Sequence, residues 1–105
     1  MSGSGGGTWI DQPGDNCATL SQQTTLNSPN RTVLCQLEKG TVLEVSVNKV
    51  GKALTVQALH NGQVAGTITS SINQRLAECM EEGNEYVAEV MDVQGGACRV
   101  HVHPK

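Results

Sequence analysis

Aromatic side chains are nearly absent from this sequence of 105 residues, which contains no Phe, one Trp (Trp9) and one Tyr (Tyr86). Proteins that hold single-stranded nucleic acid usually stack bases on aromatic rings, and each stacked base contributes about 1–3 kcal/mol. The net charge is −3, and the segment 78–92 contains six acids but neither Lys nor Arg. Such a segment repels a phosphate backbone, so the composition argues against a general nucleic-acid binder.

The sequence motifs of several common enzyme classes are missing. There is no G-x-S-x-G elbow, no G-x-x-x-x-G-K-[ST] loop, no G-x-G-x-x-G turn and no H-E-x-x-H pair. In so small a domain, with few polar side chains at inferred inward positions, these absences favour a protein that is not an enzyme and uses no cofactor. We therefore expect a small non-catalytic protein-interaction or adaptor module with a protein partner.

Long apolar runs and closely spaced cysteines are missing as well. No run approaches the roughly 18 apolar residues of a membrane span, and no charged segment followed by an apolar one marks an export signal. We expect a cytoplasmic protein without membrane association. The four cysteines, Cys17, Cys35, Cys79 and Cys98, lie too far apart for the C-x₂₋₄-C pairs of structural zinc sites. Since no export signal is seen, we expect them to be buried thiols.

Two regions of different composition divide the chain. Residues 1–16, MSGSGGGTWIDQPGDN, are dominated by Gly, Ser, Pro and Asp, and they predict a flexible leader in which Trp9 and Ile10 could dock elsewhere. Residues 17–105 hold nearly all of the Leu, Ile and Val. They predict a single β-rich domain.

Alternation of apolar and polar residues predicts most of the strands. It is clearest in TVLEVSV (41–47) and ALTVQAL (53–59), and the Asn61-Gly62 turn predicts a hairpin with the next strand, 63–69. Gly66 interrupts that strand, which indicates a bulge or the close approach of another segment. Further strands are expected at 17–26, 85–93 and 97–103.

Start and stop signals predict two short helices. The first is expected between Ser28, as its N-cap, and Gly40, and the second is expected to begin at a capping box of Ser71 and Gln74 and to end at Gly83. The element order is then β-α-β-β-β-α-β-β. This order predicts a mainly β fold with two short helices, as a small OB-like or otherwise curled antiparallel barrel.

The second predicted helix ends in an acidic cluster, Glu78, Glu81 and Glu82. Carboxylates near a helix C-terminus oppose the helix dipole, at a cost of about 0.3–1 kcal/mol for each charge. A solvated acidic face is one interpretation of this cluster. The other, which we take as the candidate partner-binding site, is a patch for a basic partner.

The last predicted strand places Arg99, His101 and His103 on one face. Side chains two apart along a strand lie about 6.6–6.8 Å apart, so the two imidazoles could share a metal with His60 or a neighbouring acid, as in a metal-dependent hydrolase. Nothing in the sequence specifies a third ligand, and we assign no metal site. The same residues could instead form a cationic stripe for phosphate, or the polar face of an edge strand. Cys98, a conceivable nucleophile beside a His, is expected on the opposite, apolar face.

Residues 54–105 resemble the second half of HIRAN domains. The resemblance lies in LTVQALHNGQVAGTI, in a helix over 72–82 whose end opens the run EEGNEYVAEV, and in a closing hairpin of the form V-x-G-G-x-x-R-V-x-V. HIRAN domains are small OB-like barrels with two helices, found alone in bacteria and elsewhere fused to remodelling helicases, where they capture 3′ ends of single-stranded DNA. The resemblance therefore implies an alternative function in recognising single-stranded DNA or its 3′ end.

The first half of the chain departs from the HIRAN pattern. Those domains carry an N-P-x-D loop with aromatic residues that hold the DNA end, whereas Asn27-Ser28-Pro29-Asn30 stands near that place without Asp or an aromatic neighbour. No DNA-binding residue carries over from the family. The candidate nucleic-acid surface of this chain is the face that bears Arg99, His101 and His103.

Overall fold

The computed structural model describes residues 16–105, and the predicted leader, including Trp9 and Ile10, lies outside them except for Asn16. The fold is mainly β with two helices, and the predicted order of elements is confirmed. In chain order the elements are β1 (Gln22–Thr25), α1 (Arg31–Leu34), β2 (Val42–Val50), β3 (Ala53–His60), β4 (Gln63–Ile68), α2 (Asn73–Glu81), β5 (Tyr86–Gln94) and β6 (Ala97–Pro104).

The six strands form one antiparallel sheet in the order β1-β6-β5-β2-β3-β4. The sheet curls into a half-barrel, which confirms the predicted curled antiparallel architecture. The two outer strands approach each other where Asn27, just after β1, pairs with Thr67 of β4, and each N–H donates to the other's C=O at 2.8 Å. This backbone pair joins the two edges of the curled sheet.

Turn residues adopt the backbone conformations that the sequence predicts. Asn61 and Gly62, between β3 and β4, have φ of 52° and 84°. Positive φ at both central positions is what a type I′ turn requires, and Asn and Gly are the residues that tolerate it. The predicted β3–β4 hairpin is confirmed by the pairing of His60 with Gln63 across that turn.

Gly66 lies where β4 meets the segment that follows β1. The β3–β4 register shifts between Ala58 and Leu59, next to the residue that pairs with Gly66. A Cβ atom at Gly66 would lie 2.9 Å from Leu26 Cβ and 3.2 Å from the Asn27 carbonyl oxygen. Both predicted reasons for this glycine, an irregularity in the strand and a close approach, are therefore confirmed.

The beginning of α1 differs from the prediction. Ser28 has a φ of 48° and precedes the helix, whereas the side chain of Asn30 accepts a hydrogen bond from the Thr32 N–H at 3.0 Å. Asn30 is therefore the N-cap. The helix is a single turn that ends at Leu34, short of the predicted end at Gly40.

The second helix begins later and ends as predicted. Ile72 occupies the N-cap position without a side-chain cap, and the Oγ of Ser70 accepts from the Ile72 N–H at 3.2 Å. The predicted capping box of Ser71 and Gln74 is therefore wrong. After the helix, Gly83 has a φ of 105° and its N–H donates to Met80, in the Schellman arrangement that favours glycine.

The core fills the concave side of the curled sheet. Its largest fully buried side chains are Leu20, Leu43, Ile68 and Leu76. Within residues 16–105, every buried side chain is hydrophobic when Tyr86 and the cysteines are counted as such, and none is charged. None of the helices described there is long and apolar enough to cross a membrane.

A disulfide joins Cys17 to Cys79 of α2, with Cα atoms 5.6 Å apart. The expectation of four buried thiols is therefore wrong for this pair, and it is wrong for Cys35, which is exposed. It is correct for Cys98. The hydroxyl of Tyr86 also donates to the Cys17 carbonyl at 2.6 Å, so the start of the described chain is attached to both α2 and β5.

Candidate functional site

Strand β2 is paired along only part of one edge. It pairs with β3 from Glu44 to Val50, whereas on its other side it pairs with β5 only from Val42 to Glu44. Within the part of the chain that the structure describes, no other segment makes a backbone hydrogen bond to residues 46–49. An edge left open in this way is a template for pairing with another strand.

The turn between β2 and β3 determines which backbone groups of β2 face the open edge. Val50 pairs with Ala53 across a two-residue turn, and residues that flank such a turn hydrogen-bond to each other. The backbone N–H and C=O groups of even-numbered β2 residues therefore hydrogen-bond to β3. Those of odd-numbered residues point to the opposite edge of the strand. The Thr41 C=O, in the odd series, accepts from the Val90 N–H of β5 at 2.8 Å, which agrees with this assignment.

The N–H and C=O groups of Val47 and Lys49 thus face the open edge, beside a groove that separates β2 from α2. This α2–β2 groove has a volume of about 510 Å³. It is lined by Val45, Ser46, Val47 and Lys49 of β2 and by Ala77, Met80 and Glu81 of α2. Open strand backbone beside an apolar cleft is the geometry by which proteins bind an extended peptide as an added strand.

An ion pair spans the rim of the groove. Lys49 Nζ lies 2.6 Å from Glu81 Oε2, and the two side chains are 50% and 61% exposed. Pairs this exposed contribute about 0–1 kcal/mol, so a ligand could displace the contact at little cost. Below the rim, Val47 and Met80 are half-buried and Ala77 is buried.

The predicted acidic cluster lies on this same helix. Glu78 Oε1 pairs with Arg75 at 3.2 Å, and Glu81 pairs with Lys49 as described, while Glu82 follows the helix as its C-cap. The cluster is therefore less negative than the sequence suggests. A count of charges along residues 78–92 misses Lys49, which the fold brings from β2.

The predicted cationic face lies on β6, where Arg99, His101 and His103 alternate with buried residues. The Arg99 Nη2 donates to Gln23 of β1 at 3.1 Å. The His101 and His103 rings lie 5.1 Å apart, and His103 Nε2 is 3.6 Å from Glu89 Oε1 of β5. The structure thus brings the three predicted residues together, but on a surface of mixed charge.

The same face does not assemble a metal site. Among residues 16–105, no group of three or more His, Cys, Asp or Glu side chains is arranged to hold a metal ion. His60, the suggested third ligand, lies on β3, which is three strands away from β6. Adjacent strands are about 4.8 Å apart, so three strand spacings, roughly 14 Å measured along the curled sheet, separate the strand of His60 from that of the β6 histidines.

Two buried ionisable groups resist ionisation. Burial raises the pKa of the Cys98 thiol, and nearby Asp92 raises it further. Since the nucleophile is the thiolate, this environment does not suit a catalytic cysteine. Burial likewise raises the pKa of Tyr86, with Arg75 opposing the shift and Glu82 adding to it.

The α2–β2 groove was not predicted from the sequence. Alternation identifies β2 as a strand, but the place where β5 stops pairing with it depends on where the chain leaves α2. Of the three acidic residues predicted to bind a partner, only Glu81 also lines the groove. No protein-family model, curated protein sequence or solved structure matches this chain.

Proposed function

We propose that this protein is a non-catalytic protein-interaction module whose partner binds at the α2–β2 groove and the acidic end of α2. The observation that supports this most is the open edge of β2 beside an apolar groove. Backbone groups of Val47 and Lys49 supply hydrogen bonds to an extended segment, and side-chain pockets such as that beside Met80 supply selectivity.

The chemistry of the surface suggests the kind of partner. Glu81 lines the groove, Glu78 lies on the same helix and Glu82 is its C-cap. The ion-pair partners of Glu78 and Glu81 are Arg75 and Lys49, partly exposed cations that an incoming segment could replace. Complementary charge steers association and selects among partners more than it adds to affinity. We therefore expect an extended segment with basic residues next to apolar ones.

Charge reversal on α2 tests this function. We expect that E78K/E81K/E82K loses a protein captured from native lysate by the wild-type chain, because the basic segment would then meet like charge. The matched control is E38K/E44K/D92K, which makes the same change of charge at exposed positions outside the groove and should retain the partner. Quantitative mass spectrometry of the captured proteins is the readout. The proposal is wrong if no captured protein distinguishes the two triple variants.

A second proposed function is the recognition of single-stranded DNA or its 3′ end, as in the HIRAN domains that the sequence resembles. It is favoured by the clustering of Arg99, His101 and His103 on one face, and Glu89 in the same cluster weakens it. Fluorescence anisotropy with 3′-hydroxyl and 3′-phosphate oligonucleotides at low salt tests it. Binding that R99A abolishes would support this function, and no binding by the wild-type chain would exclude it.

We also propose the cytoplasmic location expected from the sequence. The Cys17–Cys79 disulfide is an observation against it. Structural disulfides persist in oxidising compartments and are rare in the cytosol. Acid quenching of the producing cells, followed by alkylation and peptide mapping, reports the state of both cysteines. Free thiols in the cells would support a cytoplasmic location, and a disulfide would indicate an exported protein.

A further inference from the structure

The α2–β2 groove lies close to the point where the described chain begins. Cys17 is bonded to Cys79, and Cys79 is the neighbour in α2 of Met80, which lines the groove. The Tyr86 hydroxyl holds the Cys17 carbonyl as well. The residues that precede Cys17 are therefore attached to the helix that forms one wall of the groove.

Those preceding residues contain a short apolar stretch of the right composition. Thr8, Trp9 and Ile10 all favour strands, and they are flanked by a glycine run on one side and by Asp11 on the other. Trp9 is the chain's single Trp, and its indole is the largest apolar group in the sequence. The groove has valine, alanine and methionine among its lining residues, with the Lys49–Glu81 ion pair at its rim, and its apolar part suits such a group.

The length of the connection allows the contact. Ile10 and Cys17 are separated by seven residue steps, which span at most about 23–25 Å when extended. Cys79 and the groove lie on different sides of α2, and a helix with its side chains is about 10–12 Å across. The segment is long enough to pass around the C-terminal end of α2 and reach the groove.

We infer that Thr8–Ile10 of this same chain pairs with the open edge of β2, with Trp9 seated in the α2–β2 groove. The tether makes this an intramolecular contact, for which the effective concentration of a short linker is in the millimolar range. The segment would occupy the groove when no partner is bound, and a partner would have to displace it. The inference rests on the same open edge as the proposed function, but its test needs no partner.

Fluorescence of Trp9 tests the inference directly, because no other Trp contributes. We expect the native chain to emit at a shorter wavelength than in denaturant, and acrylamide to quench the emission several-fold less efficiently than in denaturant. The variant M80E should shift the emission to that of a solvated indole, since it places a charge in the groove. The matched control M91E makes the same substitution on β5, outside the groove, and should leave the emission unchanged.

Circular dichroism shows whether M80E is folded, and V47K serves as a second groove variant if it is not. Solvated emission from the wild-type chain overturns the inference. So does a buried emission that neither groove variant changes, because Trp9 would then be docked elsewhere. If the wild-type chain sediments as a dimer that M80E dissociates, and Trp9 is solvated, a second copy occupies the edge and the inference is also wrong. None of these outcomes excludes a separate protein partner, which the charge-reversal experiment tests.

Discussion

Removal of the Cys17–Cys79 disulfide is expected to lower the free energy of unfolding by about 4 kcal/mol. The two cysteines are 62 residues apart, and closing a loop of that length removes about this much conformational freedom from the unfolded chain in the loop-entropy model. Typical single domains have a total stability of about 5–15 kcal/mol, so the loss would be a large part of the total. Urea denaturation of C17S/C79S, compared with the wild-type chain, measures it.

The remaining cysteines provide the control for that experiment. C35S changes an exposed thiol outside the disulfide and should leave the urea midpoint nearly unchanged. Adding reductant to the wild-type chain should lower its midpoint to that of C17S/C79S, and the double variant itself should not respond. A loss below about 1 kcal/mol would mean that the two cysteines contribute little to the stability of the folded domain.

Replacing Gly66 by alanine is expected to destabilise the protein by about 1–3 kcal/mol, the usual cost of overpacking. The added Cβ would lie 2.9 Å from Leu26 Cβ, a distance that real Cβ contacts do not tolerate, and 3.2 Å from the Asn27 carbonyl. This steric clash can be relieved only if the segment after β1 moves away from β4. That movement would weaken the Asn27–Thr67 backbone pair that joins the outer strands.

The substitution G96A is the matched control. A Cβ at Gly96 would contact only the guanidinium of Arg31, at 3.3 Å, and the end of that exposed side chain can move. We expect a change within about 0.5 kcal/mol, as for ordinary surface substitutions. Thermal or urea denaturation of the two variants compares them, and equal stability of G66A and G96A would show that Gly66 is not needed for the close approach.

Local sequence signals predicted the features of the fold that depend on neighbouring residues. Asn61-Gly62 specifies its own hairpin, because positive φ is required at both positions. Gly83 follows the end of α2 because the residue at that position also has a positive φ, which glycine adopts without strain. The helix starts were predicted less well, because several polar residues compete for the role of cap. Asn30 rather than Ser28 caps α1, and the two differ in position by only half a turn.

Features that depend on distant residues could not be predicted from local patterns. Cys17 and Cys79 meet only because the segment before β1, which contains Leu20, and α2 pack against the same core, and no spacing rule pairs cysteines so far apart. Lys49 neutralises Glu81 only because β2 runs beside α2. The open edge of β2 is likewise a property of the assembled sheet, since it depends on where β5 begins.

We propose that the open edge of β2 accepts an extended strand, and hydrogen exchange of its backbone amides measures this most directly. In W9G/I10G the N–H groups of Val47 and Lys49 should exchange rapidly, while those of Ser46 and Asn48, bonded to β3, should exchange slowly. In the wild-type chain all four should be protected. Equal exchange of Val47 and Lys49 in the two proteins, whether rapid or slow, would contradict the claim.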